Sequence, residues 1–302
     1  MTHPQLAPRQ TKGESPIRLA TGIEVVPVPV AKTFVRSWHY SEIFPPHCLL
    51  NLGARDTNGV LAAVAIWGYG VRPLHTIRDL FPSLGTRDYL ELARLCLRDD
   101  MPRNSESRFL SECASWIRKH VPRIKLLFSW ADGVRGKPGY VYQASSWLYG
   151  GFIKTQVYMN EDHESVHPRL LITRYGTRTK EFCKSKGLVK WHGYQFRYVR
   201  FLCGHKEMKR LLRESTVKWT RDYPKVGDCK WWKDAGEGSR ASREPPRFEG
   251  TGQFRHPAPV SQGQTDVSFR TSECDVPLRT SGGLPQPGGG QEGACRRRSR
   301  HA

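Results

Sequence analysis

Tyr89-Leu90-Glu91-Leu92-Ala93-Arg94-Leu95-Cys96-Leu97, Arg103-Asn104-Ser105-Glu106-Ser107 and Ser129-Trp130-Ala131-Asp132-Gly133 together decide how this chain folds. The first is an apolar run of strand length, and the second is a polar turn. From residue 105 to about 120, Phe109, Leu110, Cys113, Trp116 and Ile117 recur on one helical face, which predicts a helix buried against a sheet. A second apolar run, Ile124 to Trp130, predicts the next strand and ends at Asp132. A turn that opens directly into a helix leaves free backbone N–H groups, a natural seat for an anion. The strand that follows would deliver the Asp132 carboxylate beside that seat.

Upstream, Ile23 to Val28 predicts a first strand, with Pro27 either placing it at an edge or ending it, and Pro29 suits the first turn of a helix running from Val30 to Trp38. His47 to Arg55 and Val60 to Tyr69 flank Asp56-Thr57-Asn58-Gly59, whose Asn-Gly predicts a hairpin. Downstream, Gly139 to Ala144 leads into an expected aromatic helix through Trp147 and Tyr149. Ile153 to Met159 and Leu170 to Tyr175 are expected as an antiparallel pair. A basic loop and helix from Arg178 to Lys186, a strand from Gln195 to Leu202 and a helix from Lys206 to Arg213 close the folded part. The order gives an α/β fold with a mixed central sheet flanked by helices. A doubly wound dinucleotide-binding sheet is disfavoured, because the first half has neither βαβ repetition nor a G-x-G-x-x-G.

Residues 1–21 lack periodicity and are expected as a flexible arm, with the folded domain over residues 22–233. From Asp234 onward there are 11 Gly and 7 Pro and few large apolar side chains, so residues 234–302 are expected to be a disordered tail. Removing residues 240–302 should therefore leave activity largely intact. The tail holds 10 Lys and Arg against 8 Asp and Glu, which leaves +18 of the formal +20 charge in residues 1–233. Such an excess repels itself unless a polyanion meets it, and nucleic acid is the default partner. No C-x-x-C pair occurs among the 8 cysteines, no apolar run is long enough to span a membrane, and no signal peptide opens the chain. Those features lead to the expectation of a reducing, cytoplasmic setting without membrane contact.

Single residues carry alternatives. Asp132 can be a free base or metal ligand, or a turn-capping aspartate. Tyr40 and His39, where a helix ends before Pro45-Pro46, can ligate a metal or handle a proton, or pack on the core. Arg94 needs a partner inside its apolar strand: Asp132, Glu91 or a substrate phosphate. Ser105 is a plausible N-cap, and Ser107 can offer a hydroxyl to a bound donor. Tyr140, Tyr142, Trp147 and Tyr149, near Arg135 and Lys137, form an aromatic cluster suited to a flipped base, with core packing the alternative. His163-Glu164-Ser165-Val166-His167 spells H-E-x-x-H, but Pro168 follows at once, so a hairpin turn is expected there rather than a zinc-binding helix. Cys183, His192, Cys203 and His205 fit no finger spacing.

Ser37-Trp38-His39-Tyr40-Ser41, Leu92-Ala93-Arg94-Leu95, Arg103 to Ser107, Ser129 to Asp132 and Gly139 to Trp147 occur in an order that resembles the Mom family of bacteriophage DNA-modification proteins, over about residues 22–215. The element order is also similar to that of GNAT acyltransferases. The resemblance implies a GNAT-like fold, transfer of a carbamoylmethyl group to N6 of adenine in double-stranded DNA, protection of phage DNA from host restriction, and a bound iron. It points to Tyr40, Arg94, Ser105 or Ser107, Asp132 and one of Tyr140 and Tyr142 as catalytic. His39, Tyr40 and Asp132 become the implied metal ligands, and Arg103, Asn104, Ser105 and Ser107 the donor-binding turn. That turn has no glycine, unlike the glycine-bearing coenzyme A loop of ordinary acetyltransferases, which puts acetyl-CoA in question and leaves glycyl-tRNA as the other candidate donor. A coenzyme A-dependent acyltransferase on another substrate, or a non-enzymatic nucleic-acid-binding module, remain the alternatives.

Overall fold

The computed structural model describes residues 18–20, 22–39, 44–71, 73–161, 163, 165–166, 168–235, 238–246 and 248. The expected arm up to residue 17, Tyr40 and most of the expected tail lie outside them.

Strands β1 (Glu24–Val25), β2 (Leu50–Arg55), β3 (Leu61–Gly68) and β4 (Tyr89–Leu97) form one antiparallel half of the sheet. Between β1 and β2 runs α1 (Val28–Trp38), with Pro29 in its first turn as the sequence predicts. Ala31, Phe34 and Val35 of α1 are buried against Val64, Ile66 and Cys96. The Asn-Gly hairpin forms, and its geometry is fixed from inside. The buried Asp56 carboxylate accepts the Asn58 and Val60 N–H groups at 2.9 Å and an Arg98 guanidinium N–H at 2.8 Å. Helix α2 (Pro73–Leu80) leads into β4.

The other half holds β5 (Leu126–Asp132), β6 (Leu148–Met159), β7 (Ser165–Val166), β8 (Val189–Phe201), β9 (Trp231–Ala235) and β10 (Gly238–Ser242), with α3 (Ser105–His120), α4 (Tyr140–Ala144), α5 (Pro168–Tyr175), α6 (Lys180–Ser185) and α7 (His205–Glu214). Across the sheet the order is β1-β2-β3-β4-β5-β8-β6-β7, with β9 on β8 and β10 on β9. All pairs are antiparallel except β4 with β5, which run parallel and pair only over Tyr89–Glu91 and Leu126–Phe128. Beyond Glu91 and Phe128 the two strands part. Phe109, Leu110, Cys113 and Ile117 of α3 are buried on one face of the sheet, and Phe81, Phe128, Val199 and Leu211 are buried in a second cluster.

Three expectations change. Trp147 is a fully buried loop residue and Tyr149 lies in β6, so no aromatic helix runs through them. Ser146, at φ +62°, breaks the chain out of α4 before they are reached. Leu170 to Tyr175 is part of helix α5 rather than a strand, Pro168 serving as its first residue. Leu171 and Cys183 bury themselves on Tyr158 of β6. The expected boundary at 234 falls inside the β9–β10 hairpin, which is built onto the fold by Trp191 pairing with Lys233 and His192 with Trp232. The H-E-x-x-H segment forms no zinc helix at Ser165–Val166, which pair with β6 as a strand; Glu164 and His167 lie outside the described residues. Among the described residues no helix is long and apolar enough to cross a membrane. Of the cysteines, 96, 113, 183 and 229 are buried and unpaired.

Candidate active site

Where β4 and β5 part, the gap opens into a cavity of about 1310 Å³. Leu92 to Leu97 of β4 form one wall and Trp130 to Asp132 of β5 the other. The end of α1 (Arg36 to His39), the turn before α3 and the loop from Gly136 to Tyr142 complete it. Five cationic side chains (Arg36, Arg94, Arg98, Arg103, Lys137) line it against three acidic ones (Asp99, Glu106, Asp132), so the cleft favours an anionic ligand. Arg98 is the least available of the five, since it ion-pairs with Asp56 and Asp100 at 2.8 Å each.

A bulge aims one of the cations. The β3–β4 register pairs Trp67 with Leu92 but Ile66 with Arg94, which makes Ala93 the extra residue. Leu92 is buried in the core at the base of the wall, and Arg94 lines the cavity, its guanidinium Nη1 donating to the Ala93 carbonyl at 2.7 Å.

Asp132 ends β5 and combines both roles that the sequence leaves open. Its carboxylate caps the 3-10 turn Gly133–Arg135 by accepting the Arg135 N–H at 3.4 Å, and it pairs with Arg135 Nε at 3.6 Å. It also lines the cavity. Burial raises its pKa above the usual carboxylate range, and the Arg135 and Lys137 charges and backbone N–H groups only partly oppose that. Lys137 moves the other way, lowered by burial and by Arg135. The two shifts bring the ordinary values of the acid and the lysine toward each other, as burial of both groups requires.

The turn before α3 reaches its shape without glycine. Asn104, the N-cap, adopts φ +71° and ψ +6°, the left-handed conformation that glycine otherwise supplies. Ser105 is therefore the first helical residue and not the cap. It is buried and lines a smaller cavity of about 480 Å³ on the other flank of the turn, with Arg18 and Arg108. Arg103, Asn104 and Ser107 line both cavities, and the Ser107 hydroxyl donates to the Asn104 carbonyl at 3.0 Å.

The two tyrosines of α4 divide. Tyr140 is 53 % exposed and lines the cavity. Tyr142 is buried, stacks on Tyr198 with centroids 4.9 Å apart, and its hydroxyl lies 2.8 Å from Ser129 Oγ. Ser129 in turn donates to the Leu92 carbonyl at 3.2 Å, so Tyr142 donates to Ser129, and the pair ties β5 to β4 at the place where they separate. Gly139 makes this packing possible: a Cβ there would lie 2.6 Å from the Tyr198 ring, and its φ is +97°.

His39 lines the cavity, while Tyr40, the other implied ligand from α1, lies outside the described residues. Among the described residues no group of three or more His, Cys, Asp and Glu side chains is placed to hold a metal ion. His192 is instead engaged by Asp234 at 3.0 Å, and Cys183 of α6 is buried against Tyr158 and Leu171. Three contributors escape sequence reasoning. Arg36 sits on a helix whose geometry to the cleft is set by packing. Trp130 reads as a core strand residue. Trp231 lies near the expected tail, yet its Nε1 donates to the Gly133 and Val134 carbonyls at 3.2 and 3.0 Å and so buttresses the turn after Asp132. The pairing potential of the Trp-Trp doublet at 231 and 232 was the available signal for the last.

The sequence model of the Mom protein family matches residues 20–225. Over 209 residues the chain is 35 % identical to a protein of Escherichia phage Mu described as methylcarbamoylase Mom, covering 67 % of this chain and 83 % of that one. Among solved structures, an N-acetyltransferase from Staphylococcus aureus Mu50 is 9 % identical, with 60 % of this chain and 97 % of the other covered at a TM-score of 0.32. A GNAT family N-acetyltransferase from Escherichia coli in complex with CoA is 10 % identical, with 45 % and 72 % covered at 0.32. The family match spans the whole cavity wall from α1 to the segment after α7, and the chain belongs to the Mom protein family.

Proposed function

We propose that this protein is a transferase that adds a carbamoylmethyl group to N6 of adenine in DNA, and that the cavity between β4 and β5 is its active site. One observation carries the reading: in a Mom family chain, Asp132, Arg94, Tyr140, His39 and the Arg103–Ser107 turn line a single cationic cleft. An adenine must leave the duplex for its N6 to reach such a cleft, and Tyr140 offers an exposed ring at the entrance. The free N–H groups at the start of α3, with Arg103 beside them, suit the phosphate of a donor. Asp132 is the base that takes the N6 proton, and Arg94 and Lys137 stabilise the oxyanion that forms on the donor carbonyl. Iron stays an implication of the resemblance, and no step here passes through it.

The product atoms constrain the donor. A carbamoylmethyl group is attached through its methylene carbon and carries an amide nitrogen, which one acetyl transfer cannot supply. A glycyl ester such as glycyl-tRNA can. N6 attacks the ester carbonyl, and the ester oxygen leaves with the proton that Asp132 has taken. The free glycyl amine then attacks C6 through a five-membered ring, and the C6–N6 bond breaks, leaving the former N6 as the terminal amide. The second step is an isomerisation in which no atom is gained or lost. A bulky N6 substituent alters the edge that adenine presents in the major groove, which is how it would block restriction nucleases.

Expression in bacteria followed by mass spectrometry of digested nucleosides tests the reading. A modified deoxyadenosine is expected with the wild type and not with Asp132→Asn; unmodified DNA from a folded wild-type chain refutes it. With nitrogen-labelled glycine, the label should sit on the nitrogen bonded to C6, and label in the terminal amide excludes this donor route.

A further inference from the structure

Alternate residues of β8 are aromatic: Tyr194, Phe196 and Tyr198 share one face. The inner two are covered, Phe196 being buried in the core and Tyr198 lying under Tyr142. At the far end of the same face, Tyr158 of β6 is buried under Leu171 and Cys183 of α5 and α6. Among the described residues the sheet stays open between these two helical covers, and the aromatic file continues into the opening. Phe152, 45 % exposed, stacks on Tyr194 with centroids 3.9 Å apart and 29° between planes. Trp232 of β9 meets Tyr194 edge-on at 5.3 Å, and Lys154, the register partner of Tyr194, places its Nζ 5.9 Å from the Trp232 ring. The acid on this face, Asp234, is already engaged by His192 at 3.0 Å and Lys190 at 3.8 Å. None of Phe152, Lys154, Tyr194 and Trp232 lines the cavity. Yet Tyr194 is the residue before Gln195, the register partner of Asp132, so the opening adjoins the active site across the sheet.

We propose that Phe152, Tyr194 and Trp232, with Lys154, form a platform on which unpaired bases of a DNA strand stack beside the active site. The choice of DNA rests on the function proposed above. Extracting an adenine leaves its neighbours and its former partner with exposed ring faces. An exposed ring backed by further aromatics, with a cation beside them, takes any base, and the +18 charge of residues 1–233 holds the backbone near them. The platform replaces the cluster expected from Tyr142, Trp147 and Tyr149, whose rings the core consumes.

Fluorescence anisotropy with a fluorescein-labelled single-stranded oligonucleotide of mixed sequence tests this on the full chain. Phe152→Ala should weaken binding by roughly 5- to 150-fold, the range for loss of one stacked base. Phe152→Leu should bind as weakly as Phe152→Ala, because leucine restores apolar volume but no ring face. Lys154→Ala should lower the salt dependence by about one counterion. Affinity within twofold of wild type for both Phe152 variants, with unchanged circular dichroism, overturns the proposal. So does a concentration-dependent dimer in sedimentation that Phe152→Ala abolishes while oligonucleotide affinity is kept, since the occupant would then be a second copy. Binding and modification are separate readouts: a chain that leaves DNA unmodified but loses single-strand affinity on Phe152→Ala fails the proposed function and keeps the platform.

Discussion

Replacing Tyr142 by Phe removes the hydroxyl that donates to Ser129 and should cost about 1 kcal/mol of stability in urea unfolding. Tyr140→Ala, by contrast, should leave unfolding unchanged and lower nucleoside modification, because that ring is exposed at the cavity. The sequence names both tyrosines and cannot separate them: the choice depends on which side of a five-residue helix meets Tyr198. Glu91 gives a second test. Burial pushes its carboxyl from 4.5 up to about 7, and Gly70 lies so close that a Cβ there would be 2.2 Å from Glu91 Oε2. The folded chain holds that proton more tightly than the unfolded one, so Glu91 favours folding below its unfolded pKa, and this contribution is lost as pH rises through about 7. Glu91→Gln should therefore flatten the fall in thermal stability over that window. Asp132 is shifted in the same direction, so Asp132→Asn should abolish modification without lowering stability at neutral pH.

At the level of elements, the turn into α3 makes the sharpest prediction. Asn104→Gly should be neutral or slightly stabilising, and Asn104→Ala should destabilise by about 1 kcal/mol, because alanine tolerates the left-handed conformation less well than asparagine does. Melting temperatures of the two variants check it. Helix α3 is legible in the sequence to within one residue, its cap falling on Asn104 instead of Ser105, since its apolar spacing and its polar turn agree. The β2–β3 hairpin is legible for the same kind of reason. Helix α5 is not: its Leu-Leu-Ile run fits either period, and packing on β6 decides in favour of the helix. Nor is the β4 bulge at Ala93, which depends on how β3 and β4 register and not on any local feature of the β4 sequence.

For the molecule as a whole, the hairpin β9–β10 moves the edge of the domain. A chain ending after Phe248 should keep its fold and its activity. One ending before Trp231 should lose both stability and modification, since the Asp132 turn then has no tryptophan behind it. A cut at residue 240 divides β10 but keeps Trp231 behind that turn, so it should cost some stability and leave modification largely intact. Circular dichroism melts and nucleoside analysis on the three truncations separate these outcomes. The composition that reads as tail from Asp234 hides this, because strand pairing with β8 is a long-range fact that local Gly and Pro content does not carry. The charge estimate survives the shift, because the residues that change sides are few and nearly balanced.

The β4 and β5 backbones share three rungs and then only the bond from the Ser129 hydroxyl to the Leu92 carbonyl. The two halves of the sheet are therefore laddered along only a short seam, while a shared core packs across both. Main-chain amides of β4 that look toward β5 beyond that seam have no strand to shield them, so hydrogen exchange should run faster there than at the amides looking toward β3. With so few rungs to share the load, Ser129→Ala should speed that exchange further, and it should also loosen the Tyr142 hydroxyl beside the cavity.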